Sequence, residues 1–168
     1  MDDNSALRRA KRPASPIAGP YGHPMHPMIV VVPIGAWTSS VVFDLVALIG
    51  HHPGEFSHGI IWLIGIGVIG ALIAAVFGLM DLSRLASGTT ARRTALTHMT
   101  INLVVVVLFV ISFFVHLAAG YDNASVVGFI ISAIGLILVG ISGFLGGRMA
   151  YRFGVRVADE DTQREAYR

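Results

Sequence analysis

The sequence predicts an all-α polytopic membrane protein, with four transmembrane helices arranged as two pseudo-repeated hairpins and both termini on the cytoplasmic side. Three observations predict it. Hydrophobic residues fill 54% of the 168 positions and gather in four long runs, while charged residues fill only 13%, about half the share of an average globular domain. All lysines and arginines lie outside those runs, on alternate connections. The first half of the chain also maps onto the second by a near-constant shift.

The four runs cover about residues 27–49, 59–80, 94–118 and 125–147. A hydrocarbon core about 30 Å thick needs about 20 helical residues, and each run is long enough. Irregular backbone cannot face lipid, so each run is read as a helix. The transmembrane domain is therefore 21–157, flanked by a mobile tail at 1–20 and a short tail at 158–168. The first twenty residues are polar and basic, and are expected not to be a cleavable signal, because the following run is of full span length.

Of the 12 basic residues, Arg8, Arg9, Lys11 and Arg12 precede the first run. Arg84, Arg92 and Arg93 lie between the second and third, and Arg148, Arg152, Arg156, Arg164 and Arg168 follow the fourth. The connections 50–58 and 119–124 have none. The positive-inside rule then places both tails and the middle connection in the cytoplasm. The net charge of +2 reports topology and lipid headgroup contact, and no nucleic-acid role is expected. With no cysteine, the chain excludes disulfides, thiolate nucleophiles, cysteine-held iron–sulfur clusters and covalent haem.

The first run opens with "GHPMHPMIVVVP", Gly22 to Pro33. Pro27 suits a first helical turn, so His23 alone reads best as an imidazole facing headgroups. His26 has a counterpart. Shifting the first run by 72 residues lays His26 on His98, Trp37 on Phe109, Ser40 on Ser112 and Asp44 on His116. Positions 26, 30, 33, 37, 40 and 44 step by four and three, which keeps them on one helix face. A shift of 68 lays the second run on the fourth, with Gly67 on Gly135, Ala75 on Gly143 and Gly78 on Gly146.

The repeat relates two hairpins by a pseudo-two-fold axis along the membrane normal. It sets His26 against His98 near the cytoplasmic face. About 27 Å further along, Asp44 faces His116 near the outer face. An acid within a span is costly and marks a functional position by default. Asn102 sits one turn inside His98. Asp81 closes the second run and is expected to pair with Arg84, to orient a histidine, or simply to end its helix. His51, His52 and His58 are read as solvated residues of the outer connection. "GIGVIG", Gly65 to Gly70, fits a dinucleotide-binding pattern, but it lies inside a span with no strand or turn. Its small residues are read as helix packing.

"GHPMHPMIVVVPIGAW", "FGLMDLSRL", "THMTIN" and "GFLGGRMAYRFGVRV" together resemble the bacterial membrane proteins grouped as domain of unknown function 2231, over about residues 22–157. The resemblance carries His23, His26, Asp44, Asp81, His98 and Asn102, and does not extend to His116. It implies four spans and no established activity. Some relatives carry a Rieske-type iron–sulfur domain, which implies redox company.

Four functions compete. A b-type haem held by His26 and His98, with Asn102 beside it, needs no cysteine; arginines such as Arg84, Arg92, Arg93, Arg148 and Arg152 would meet its propionates. Its electrons would pass to a quinone or a redox partner protein. His23, His26, His98 and Asp81 are alternatively a ligand set for one zinc, iron or copper ion. The seam from His26–His98 to Asp44–His116 could instead carry protons or a small solute, although its middle is apolar. The chain could also be an accessory subunit with no prosthetic group. No nucleophile, base and orienting group can be placed together for hydrolysis.

Overall fold

A computed structural model describes residues 3–50 and 53–168; His51 and His52 lie outside them. All regular elements among the described residues are helical. Helix α1 is Asp3–Lys11, α2 Met25–Ile29, α3 Val31–Gly50, α4 Pro53–Leu82, α5 Thr90–Ala119, α6 Val126–Tyr151 and α7 Glu160–Glu165. Four segments are long and apolar enough to cross a membrane: Met25–Gly50, Pro53–Leu82, Thr90–Ala119 and Val126–Tyr151. They match the predicted runs and overrun most of their ends, because helix continues past the hydrocarbon wherever its backbone is satisfied.

Local chemistry sets the boundaries. Pro33 has no N–H for the carbonyl of Ile29, and its ring crowds that carbonyl. The first span accordingly breaks into α2 and α3 at Val30. Thr89 and Ser125 cap α5 and α6, accepting from the N–H groups of Arg92 at 3.2 Å and Gly128 at 3.1 Å. Gly120, at φ 83°, ends α5 in a conformation that costs glycine little.

Helices α3 and α4 form one hairpin and α5 and α6 the other; α4 packs on α5, and α3 on α6. Helices α3 and α5 therefore face each other diagonally, joined by side chains rather than by close backbone approach. The core lies between them: Trp37, Ala47, Ile60, Ile64, Val105 and Phe109. Trp37 and Phe109 stack with centroids 4.1 Å apart and planes 1° from parallel. Lipid-sized apolar residues such as Trp62, Leu103 and Ile137 cover the outside, as a bilayer requires.

The repeat is visible in the packing. A Cβ at Gly67 would strike the Trp37 ring, and one at Gly135 would come within 2.8 Å of Phe109. Cβ atoms at Gly78 and Gly146 would stand 3.1 and 3.5 Å from Cε1 of His26 and His98. In both hairpins an aromatic and an imidazole from the first helix sit on glycines of the second, and Gly59 and Gly128 further seat Phe43 and His116.

Both tail segments carry structure. Ala10 of α1 is buried with Leu85 and Ala95 at the end of the bundle that holds the termini. Lys11 Nζ pairs with Glu160 Oε1 at 2.8 Å. After α6 the chain turns back through Gly154 and Arg156, both at positive φ, and the Arg156 N–H donates to the Ala10 carbonyl at 3.1 Å.

Candidate functional site

Two polar clusters interrupt the apolar interior, one on each side of the Trp37–Phe109 stack. The first lies near the end that holds the termini. His26 and His98, both half-buried, stand with ring centroids 6.2 Å apart and planes at 85°. His26 Nδ1 lies 2.8 Å from the Ala74 carbonyl oxygen, and His98 Nδ1 lies 2.9 Å from that of Ser142. Ala74 and Ser142 are themselves equivalent in the repeat, 68 residues apart. A backbone carbonyl only accepts, so each Nδ1 carries the hydrogen, and in a neutral ring Nε2 then keeps its lone pair.

Asn102 crowds this pair. Its Nδ2 lies 2.9 Å from the His98 carbonyl, 2.6 Å from Ser142 Oγ and 3.1 Å from His98 Nε2. An amide has two hydrogens, and the first two contacts are the shorter. The lone pair on His98 Nε2 is therefore the surplus acceptor.

The other predicted residues of this end do not join it as one group. His23 is exposed in the turn before α2. Asp81 does not use the expected Arg84: it lies 3.0 Å from Arg156 Nε, with both side chains largely buried. The reversal after α6 brings Arg156 there. Arg156 also donates to the Ala18 carbonyl at 3.1 Å, which ties the segment between α1 and α2 to the bundle. Among the described residues no three His, Cys, Asp or Glu side chains gather as a metal site. Of the arginines proposed for propionates, Arg92 donates to the Leu85 carbonyl at 3.0 Å, and Arg148 lies over the Phe153 ring at 5.3 Å.

The second cluster is at the opposite end. His116 Nε2 lies 2.8 Å from Asp44 Oδ1, and His116 Nδ1 lies 2.8 Å from the Ser112 carbonyl oxygen. Ser112 Oγ continues to Ser132 Oγ at 2.7 Å. Both ends of the predicted seam are thus real side-chain pairs across the diagonal. Ser132 and Ser142 were not foreseen. Their signal was present, as two hydroxyls in the otherwise apolar stretch 126–147.

The geometry fits one comparison with known proteins. Residues 22–159 match a family described as predicted membrane protein, DUF2231. The chain belongs to DUF2231. No curated protein and no solved structure matches it. DUF2231 thus supplies a membrane setting for the four spans, and any chemistry must come from the residues themselves.

Proposed function

We propose that this DUF2231 chain is an electron-transfer module of the bacterial cytoplasmic membrane, with its termini in the cytoplasm, and that His26 and His98 are the axial ligands of a b-type haem. The observation that supports this is the matched pair of Nδ1 bonds to the Ala74 and Ser142 carbonyls, at 2.8 and 2.9 Å. Ligating histidines commonly donate their second N–H in this way, which fixes the tautomer and frees Nε2.

Donor number favours haem over a bare ion. An ion held by protein needs three or four side-chain ligands, and no such group gathers among the described residues. Haem iron brings four nitrogens of its own and asks the protein for two. The two imidazoles stand as neighbours, with ring centroids 6.2 Å apart.

Bound there, haem would supply one-electron chemistry, exchanged with a quinone or a partner protein. Ala74 and Ser142 would hold the imidazole planes. Asn102 would release His98 Nε2 without losing its two shorter bonds. The Trp37–Phe109 stack would exclude water from below.

A reduced-minus-oxidised visible spectrum of detergent-purified protein, made with ample haem, tests this. A sharp α band is expected in the native protein and in His23→Ala. Its loss is expected in His26→Ala and in His98→Ala. No band in the native protein, or haem retained in both variants, would overturn the assignment.

A further inference from the structure

Asp44 is 1% exposed and His116 4%, and a proton lies between them. His116 Nδ1 faces the Ser112 carbonyl at 2.8 Å, which only accepts, so Nδ1 keeps its hydrogen. Nε2 and Asp44 Oδ1 are also 2.8 Å apart, a distance at which two bare acceptors repel. The intervening proton belongs either to an imidazolium facing a carboxylate or to a carboxylic acid facing a neutral imidazole. These two forms have the same net charge.

The other carboxyl oxygen is the unusual one. Among the described residues, Asp44 Oδ2 is shut off from solvent and has no hydrogen-bond partner. Leaving such an atom bare in an apolar interior is costly. A proton needs only that one lone pair, whereas a metal ion needs several donors, and no three His, Cys, Asp or Glu side chains gather among the described residues.

Two buried hydroxyls brace the dyad on its inner side. Ser112 Oγ lies 3.2 Å from His116 Nδ1 and 2.7 Å from Ser132 Oγ, and donates to the Gly128 carbonyl at 3.1 Å. Both serines are fully buried, so they hold the imidazole in place rather than connect it to either face. His51 and His52 of the connection between α3 and α4 lie outside the described residues, and among the described residues the remaining ionisable groups at this end are few. Helix α4 brings Glu55 and His58, and the turn after α5 brings Tyr121 and Asp122; all four are exposed. His58 stacks on Tyr121 with centroids 4.0 Å apart. Helix α6 has no ionisable group before Arg148.

The dyad is also one-sided. Trp37, Phe109, Ile64 and Val105, all at most 3% exposed, separate it from His26 and His98. On the other side His116 is three residues from the end of α5, about 5 Å of helix.

We propose that Asp44 and His116 form a proton-binding dyad, held from the inner side by Ser112 and Ser132, that loads and unloads at the membrane face remote from the termini. Loading adds one proton at Oδ2 and leaves an imidazolium beside a carboxylic acid. Unloading returns that proton to the same face. From the carboxylate–imidazolium form only the Oδ2–H bond is made; from the carboxylic acid–imidazole form the Oδ1 proton also passes to His116 Nε2 as Oδ2 is protonated.

The test is nuclear magnetic resonance of protein labelled in aspartate and histidine, reconstituted in lipid nanodiscs and titrated between about pH 5 and pH 9, where imidazoles and their partners exchange protons. The Asp44 carboxyl and His116 ring signals are expected to shift together in one step, as coupled groups do. Asp44→Asn should abolish the His116 step, and His116→Gln should displace the Asp44 step, so either variant suffices if the other does not fold. Signals that stay fixed across the range, or a His116 step unchanged by Asp44→Asn, would overturn the proposal. In vesicles with uniformly oriented chains, the step should follow pH on the side of Asp122. Following the side of the termini would overturn the sidedness. None of these readings depends on haem.

Discussion

Gly67 and Gly143 look alike in sequence, and the structure separates them. A Cβ at Gly67 would collide with the ring of Trp37, which is 3% exposed and pinned against Phe109, so it cannot swing aside. Gly67→Ala is expected to cost about 1–3 kcal/mol, as overpacking in a tight interior does, read as a lower midpoint of unfolding in detergent. At Gly143 an added Cβ meets nothing within 4 Å, and Gly143→Ala should stay within about 0.5 kcal/mol. The ionisable residues were legible one by one, because a histidine or acid within a span stands out against lipid. Their partners were less so. Ala74 holds His26 through its carbonyl, a group that every residue owns, and nothing in the sequence marks it.

At the scale of elements, the spans were readable from hydropathy and the break at Val30 follows from Pro33, but the ends of the chain were not. Asp81 could pair with a cation, orient a histidine or simply end its helix, and twelve basic residues were on offer. The choice of Arg156 depends on a reversal after α6, with Gly154 at φ 67° and Arg156 itself at φ 59°. Composition says nothing about such a turn. Arg156 holds the segment between α1 and α2 through the Ala18 carbonyl while it pairs with Asp81. Arg156→Ala should therefore free residues 12–24 and leave Asp81 without its cation at the end of α4, with little effect on the middle of the spans. Hydrogen exchange is the measurement: amides of that segment should exchange about tenfold faster, and those in the middle of α4 should not change.

For the whole molecule, the internal repeat named the face that each first helix turns inward, and the diagonal pairs His26–His98, Trp37–Phe109 and Asp44–His116 follow it. It could not say which helices would be neighbours, because one inward face is compatible with either circular order. The glycine seats carry a consequence for how the molecule can be assembled. Each hairpin supplies both the ring and its seat, so each half is complete in its own close packing before it meets the other. The chain between them passes through Ser87 and Gly88, both exposed. Cutting there and co-expressing the halves as separate polypeptides should yield a complementing pair that copurifies, since preformed membrane helices associate by packing without a covalent link. The two pieces would then behave as subunits of a heterodimer, and either could be isotope-labelled alone to observe one half of the seam.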